Sequence, residues 1–233
     1  MTRPAPRSRR VRRALFLSAA VFAGIAAVAP PLERLADVSF GWHMVQHLIL
    51  FYIVSLLLLL ARPFDLFTRV APKGATAALV RAIRPLHVVA RPPVAFFIFV
   101  AALWATHFSP LYELSLEYQW VHVAEHMLYL AAGIVFWLPV VAAPPVRPLA
   151  YPARLLYLIV ALPQGALLGM VLVSQRTPLY SHYLAPTGSL SAALADQRNA
   201  GAVMWIAGGL IVLTALLATL ATWAARERDF ASS

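Results

Sequence analysis

Six long apolar stretches alternate with shorter polar segments along the 233-residue chain. They cover approximately residues 14–31, 44–61, 92–107, 121–141, 155–173 and 200–225. A helix needs about 20 mostly apolar residues to cross the hydrocarbon core of a bilayer. The pattern therefore predicts an all-α fold, a polytopic transmembrane helical bundle with about six spans.

The composition supports a membrane protein and excludes several kinds of site. Hydrophobic residues make up 61% of the chain, charged residues only 12%, and the mean hydropathy is +0.75. A soluble domain of this length leaves too much of its surface in water to accommodate so apolar a sequence. Because the chain contains no cysteine, disulfides, thiolate metal sites, iron–sulfur clusters and cysteine nucleophiles are excluded.

The distribution of basic residues predicts the orientation of the spans. Lys and Arg outnumber Asp and Glu by 19 to 9, a balance that in a soluble protein would suggest nucleic-acid binding. With the N-terminus inside, 16 of the 19 basic residues fall on the inner side, and the outer loops keep only Arg34, Arg176 and Arg198. Cytoplasmic loops of membrane proteins carry such an excess. We therefore expect an N-in, C-in protein that binds no nucleic acid.

The chain divides into one membrane domain with two short cytoplasmic ends. We expect a basic N-terminus over residues 1–13, the bundle over 14–225 and a C-terminal tail over 226–233. The first stretch also has the basic start and the Ala27-Val28-Ala29 sequence of a cleaved signal, although Pro30 directly after it argues against cleavage. In the long inner loop, residues 75–90 lie on anionic membrane lipid or form a solvated positive segment.

The histidines concentrate at one level of the predicted bundle. Six of the seven lie at the outer boundary, and five of these belong to spans: His43, His47, His107, His122 and His126. The pairs His43/His47 and His122/His126 have i, i+4 spacing, which places both imidazoles on one helix face with Cβ atoms about 5–6 Å apart. A lone interfacial histidine is often a hydrogen-bonded structural residue. Two such pairs at one depth favour a metal or cofactor site instead.

The neighbouring donor atoms indicate which metal fits. Imidazole suits zinc, copper, iron and nickel, whereas thioether sulfur selects cuprous copper. Met44, Met170 and Met204 lie toward the outer ends of their spans, although methionine in a helix also serves as apolar filler. Together with the absence of cysteine, these residues favour copper.

Three polar residues near the histidines could assist a metal ion. Glu125 lies three residues after His122 and next to His126, and a carboxylate inside a span is by default a functional candidate. It could bind the ion, orient a histidine or relay a proton, with a structural hydrogen bond as the alternative. Asp196 and Gln197, just before the last span, could reach the same outer surface, or Asp196 could cap that helix.

Two other site types compete with copper handling. His122-Val-Ala-Glu125-His126 matches the H-x-x-E-H pattern of inverted zinc proteases, but nothing in the sequence identifies a third ligand or a substrate cleft. Haem held between facing helices, as in membrane electron-transfer proteins, usually needs histidines within the span at opposed depths. Here they cluster at one rim, so copper ranks above haem, and haem above proteolysis.

Several separated motifs resemble the CtaG-type cytochrome c oxidase assembly factors of bacteria, over nearly everything after residue 38 and best over 38–210. The motifs, in order, are His43-Met44-Val45-Gln46-His47-Leu48, Trp104-x-x-His107-x-x-Pro110-x-Tyr112, His122-x-x-Glu125-His126, Phe136-Trp137-x-Pro139, Leu179-Tyr180-x-x-Tyr183 and Asp196-Gln197-x-x-Ala200-Gly201-x-x-Met204-Trp205. Relatives often have a longer chain with an additional span, and a proline where this second span reads Ser55-Leu56-Leu57-Leu58.

The resemblance implies a multi-pass protein of the bacterial inner membrane that helps to assemble haem–copper oxidases, and it implies no enzymatic activity. The family is associated with maturation of the copper-B centre in the large oxidase subunit, subunit I. The matching positions are His43, His47, His107, His122, Glu125, His126, Asp196 and Gln197. On this hypothesis the spans' histidines receive copper from a periplasmic copper chaperone and pass it to the nascent subunit.

Overall fold

The computed structural model describes residues 7–83, 85–141, 146 and 149–231, which form helices joined by short turns. The structure is 87% helical, and the described residues contain no strand, so the predicted all-α fold is confirmed. The α-helices of this part of the chain are α1 Arg7–Val28, α2 Pro30–Val38, α3 Phe40–Leu48, α4 Ser55–Ala61, α5 Pro63–Val70, α6 Lys73–Ala82, α7 Leu86–Val89, α8 Pro92–His107, α9 Pro110–Glu117, α10 Gln119–Trp137, α11 Tyr151–Ser174, α12 Leu184–Thr187, α13 Leu190–Val203 and α14 Gly209–Ala231. Of the basic residues that predict the orientation, Arg3, Arg84 and Arg147 lie outside the described residues, as do residues 232–233 of the expected tail.

Four helices in the described chain are long and apolar enough to cross a membrane, and up to five if one bent pair is a single span. They are Ser8–Val28, Phe40–Asp65, Tyr151–Ser174 and Leu190–Ala231. The bent pair is α8 and α9, whose axes meet at 65°. The fourth predicted span corresponds to α10, a 19-residue helix that carries His122, Glu125 and His126. The chain is therefore a membrane protein, and the number six remains a prediction.

Two of these long helices contain a short π-helical segment. Ile49–Val54 joins α3 to α4, and Met204–Gly208 joins α13 to α14. The last helical run begins at Leu190, because Ser189 caps it by accepting a hydrogen bond from the Ala192 amide at 3.2 Å. Asp196 and Gln197 consequently lie within this helix, whereas the sequence pattern placed them before it.

Glycines allow two pairs of helices to pack with their backbones in direct contact. A Cβ atom on Gly133 of α10 would overlap the carbonyl oxygen of Phe51 in the second long helix. Gly169 of α11 and Gly201 of α13 meet in the same way, each against the other's carbonyl oxygen. Small residues let membrane helices approach closely, and the first of these contacts brings α10 against the helix that carries His43 and His47.

Candidate metal centre

Four histidines from two helices meet inside the bundle. His43 and His47 of α3 face His122 and His126 of α10, and each residue is at most 6% exposed. The ring centroids are 4.3 Å apart within the α3 pair, 4.1 Å within the α10 pair, and 5.1 and 5.4 Å between the pairs. One ligand atom from each of the four residues lies within 4.8 Å of the others. We call this group the four-histidine cluster.

The start of α3 is held in place by a residue far away in the sequence. Asp196 of α13 accepts hydrogen bonds from the Ser39 hydroxyl at 2.8 Å and from the Phe40 amide at 2.5 Å. A carboxylate at a helix N-terminus satisfies free amide groups and interacts favourably with the helix dipole. Asp196 therefore caps the helix that carries His43, and not the helix that contains Asp196 itself.

Tyr183 contacts the imidazole of His43. Its hydroxyl lies 2.8 Å from His43 Nδ1 and 3.3 Å from the Ala36 carbonyl oxygen. Burial raises the pKa of Tyr183, so the hydroxyl stays protonated. In the arrangement that satisfies both contacts, the hydroxyl donates to the carbonyl and accepts from the Nδ1–H of His43. The Nε2 atom of His43 then keeps its lone pair for an ion.

Glu33 places a carboxylate beside His122. Glu33 Oε1 lies 3.4 Å from His122 Nδ1, within the range of an ion pair. Gln46 holds Glu33 in place, because its Nε2 donates to Glu33 Oε2 at 2.5 Å and to the Ala27 carbonyl oxygen at 2.8 Å. The sequence reasoning did not identify Glu33, Gln46 or the role of Tyr183. The available signal was the position of Gln46 within the His43–His47 motif.

The Nε2 atoms of the four-histidine cluster lack hydrogen-bond partners. Within the described residues, the Nε2 atoms of all four histidines are buried and make no hydrogen bond. Buried polar atoms in proteins are nearly always paired, so several unpaired acceptors in one place point to a cation. Four neutral imidazoles are a donor set that suits copper or zinc.

Glu125 adds a buried carboxylate to the edge of the cluster. It is 1% exposed, its Oε2 lies 3.9 Å from His47 Nε2, and its carboxylate oxygens make no well-formed hydrogen bond in the described structure, with the hydroxyls of Ser115 and Tyr129 as their polar neighbours. A buried carboxylate without hydrogen bonds is costly, and a nearby cation offsets that cost. Its predicted place beside the histidines agrees with the structure.

The remaining predicted site residues fall into three places. His107 lies beside the cluster, with its Nε2 atom 3.4 Å from Met44 Sδ. Met170 is 49% exposed on the outer surface of the bundle, whereas Met44 and Met204 are buried. Gln197 is a structural residue, because it accepts from the Leu179 amide at 2.7 Å and donates to the Leu172 carbonyl oxygen at 3.1 Å.

The fold and this centre define a polytopic helical membrane protein with a buried cluster of imidazoles. The chain belongs to the family of cytochrome c oxidase caa3 assembly factors (Caa3_CtaG), whose sequence profile matches residues 1–226. The resemblance inferred from the separated motifs is thereby confirmed.

Three mycobacterial proteins described as uncharacterized are similar to the chain. Those of Mycobacterium bovis and Mycobacterium tuberculosis are each 28% identical over 205 residues, which cover 83% of this chain and 31% of the relative. That of Mycobacterium leprae is 25% identical over 205 residues, covering 82% of this chain and 31% of the relative. The chain thus spans about a third of the length of these relatives. No solved structure matches it.

Proposed function

We propose that this assembly factor binds copper at the four-histidine cluster and delivers it to the oxidase, for the copper-B centre of subunit I. The observation that carries this proposal is the meeting of four buried imidazoles whose facing nitrogen atoms have no partner. Membership of the oxidase assembly family supplies the destination. Copper is the cargo here, not a resident cofactor.

The ligand types suit a carrier that must release its cargo. Imidazole nitrogen and thioether sulfur favour copper among the common metals, while the chain has no thiolate to retain it. Neutral ligands exchange more readily with a similar acceptor site than thiolates do. The proposed roles are binding for the four histidines and charge balance for Glu125.

A route of entry is supported by the partly exposed side of the cluster. The Glu33 side chain is 23% exposed, and it contacts His122, whose side chain is 8% exposed. A carboxylate at the entrance attracts cations and hands them to the imidazole behind it. We infer that a periplasmic copper chaperone docks at this face, with the protein in the bacterial inner membrane and the cluster on the periplasmic side.

The geometry favours copper binding over the two alternatives, haem binding and proteolysis. A haem needs a flat slot between its axial histidines, and four ligand atoms within 4.8 Å of one another leave little room for the macrocycle. Glu125 of the H-x-x-E-H motif is 1% exposed, so a peptide bond has no evident approach to it. We therefore propose a carrier without catalytic activity.

Metal analysis of the purified chain tests the proposal. Wild-type protein loaded with Cu²⁺, which imidazole binds well and thioether sulfur does not select, should retain it through gel filtration, and the His122→Ala/His126→Ala variant should lose it. The matched control is His87→Ala, because His87 is exposed in the inner loop. Cu²⁺ retained by the double variant, or absent from the wild type, would contradict the proposal.

A deletion strain tests delivery separately from binding. The copper content of the purified oxidase should fall in that strain, and the wild-type gene should restore it while the His122→Ala/His126→Ala gene should not. A fully copper-loaded oxidase in the deletion strain would show that this chain does not supply the copper.

A further inference from the structure

A small cavity adjoins the four-histidine cluster. Its volume is about 20 Å³, enough for a single ion or water molecule. The residues around it that carry a polar or sulfur atom in the side chain are Met44, His47, Tyr52, His107, Tyr129 and Met204. Its polar donors are thus two imidazoles, two thioethers and two phenol hydroxyls, and every other lining side chain is apolar.

The ring of His107 is oriented so that a lone pair faces a sulfur atom. His107 Nδ1 lies 2.8 Å from the Leu103 carbonyl oxygen, which can only accept, so Nδ1 carries the hydrogen of the neutral ring. Its Nε2 then presents a lone pair to Met44 Sδ at 3.4 Å. Neither atom can donate to the other, and a soft cation is the partner that both can bind.

The second methionine and the local backbone support a site at this cavity. Met204 is 3% exposed, and it is the first residue of the π-helical segment Met204–Gly208. Phe51 and Tyr52, on the other side of the cavity, belong to the π-helical segment Ile49–Val54. π-Helical segments inside α-helices occur frequently at functional sites, and here both of those in the described chain border one cavity.

His47 connects the cavity to the four-histidine cluster. It belongs to the cluster and also lines the cavity, and neither of its ring nitrogen atoms makes a hydrogen bond within the described structure. A neutral imidazole has one lone pair, and because neither nitrogen is held by a hydrogen bond, the tautomer can place that lone pair toward the cluster or toward the cavity.

We propose that Met44, His107 and Met204 form a second, softer site that takes copper from the four-histidine cluster through His47. The ion moves as cuprous copper, so the step exchanges nitrogen ligands for sulfur and nitrogen ligands and transfers no electron. The direction of transfer rests on the proposed function, whereas the soft site itself does not. Thioether ligands would also select cuprous copper against zinc.

Two probe ions separate the two sites in full-length protein in detergent. Ag⁺ serves as a redox-inert soft ion, and Zn²⁺ reports on the imidazole cluster. Met44→Leu and Met204→Leu should each weaken Ag⁺ binding by roughly tenfold or more while leaving Zn²⁺ binding unchanged. His122→Ala/His126→Ala should abolish Zn²⁺ binding while the soft site still takes one Ag⁺.

The control is Met170→Leu, which makes the same substitution at a methionine 49% exposed on the outer surface. Because leucine and methionine have similar volumes, these variants are expected to fold. If only one of Met44→Leu and Met204→Leu folds, that variant still tests the soft site. Ag⁺ binding unaffected by both Met44→Leu and Met204→Leu would overturn the soft site. Absence of Zn²⁺ and Cu²⁺ binding in the wild type, with methionine-dependent Ag⁺ binding intact, would instead overturn only the four-histidine proposal.

Discussion

At the scale of single residues, the centre depends on which nitrogen of each imidazole carries a hydrogen. His43 and His122 have different polar neighbours at Nδ1, the Tyr183 hydroxyl and the Glu33 carboxylate, yet in both residues Nε2 has no partner. Such partners orient metal-binding histidines and raise their affinity for the ion. The residues that contact the Nδ1 atoms of the cluster therefore matter for metal binding as the histidines do. They come from α2 and from the turn before α12.

Replacing Tyr183 by Phe tests whether its hydroxyl orients His43 for metal binding. Removal of the hydroxyl leaves His43 free to rotate or to change tautomer, so copper affinity should fall by roughly 10- to 100-fold. Competition with a chelator of known affinity measures the change. Tyr118→Phe is the matched control, since Tyr118 is 50% exposed. Equal affinities of the Tyr183→Phe variant and the wild type would show that the hydroxyl does not prepare the site.

Glu125→Gln tests the unpaired carboxylate. The amide has nearly the same shape but no charge, so the metal-free protein should become more stable by about 1–3 kcal/mol. Copper affinity should fall in the same variant, because the charge that balances the ion is gone. Thermal unfolding in detergent and copper competition provide the two measurements. A less stable metal-free variant would instead assign Glu125 a structural hydrogen bond.

At the scale of the helices, the cluster depends on how closely α10 approaches the second long helix. Gly133 lies against the Phe51 carbonyl at the start of a π-helical segment, two turns below the histidines of α10. The aromatic rings of Phe99, Phe136 and Trp137 fill the neighbouring core and are fully buried. The distance between the two histidine pairs is thus set by a contact that involves no histidine.

Gly133→Ala should separate these helices. The added Cβ overlaps a backbone atom, which cannot rotate away, so the substitution should destabilise the protein by about 1–3 kcal/mol and weaken copper binding. Gly209→Ala is the control, because a Cβ there meets nothing within 4 Å and should stabilise the helix by up to about 1 kcal/mol. Thermal stability and copper retention should fall in Gly133→Ala alone. Normal copper retention in that variant would mean that the helices can shift without loss of the site.

At the scale of the whole molecule, the charge distribution predicts which side of the membrane the four-histidine cluster faces. If the basic loops are cytoplasmic, the N-termini of α3 and α10, and with them the four histidines, face the opposite side. Copper would then be taken up and released outside the cytoplasm, as the proposed function requires.

The absence of cysteine makes this orientation simple to test. Ser191→Cys places a thiol at an exposed position near the histidine end of the bundle, and Ala75→Cys places one in the basic loop. A membrane-impermeant maleimide should label Ser191→Cys in intact spheroplasts and Ala75→Cys only after permeabilisation. The reverse pattern would place the cluster on the cytoplasmic side and contradict delivery from the periplasm.

Local sequence patterns were sufficient to predict the features that depend on short-range geometry. Apolar stretches of membrane-spanning length predicted helices, and i, i+4 spacing predicted that His43/His47 and His122/His126 would each share a face. Both follow from the fixed pitch of a helix. The family followed as well, because its motifs can be read one at a time along the chain.

Tertiary structure alone decided which side chains meet. It placed Met44 and Met204 at one cavity and Met170 on the outer surface, although all three looked alike in the sequence. It also set His107 beside the cluster and assigned Asp196 to the cap of a helix more than 150 residues away. Helix order, tilt and depth arise from packing between distant segments, and no local period encodes them.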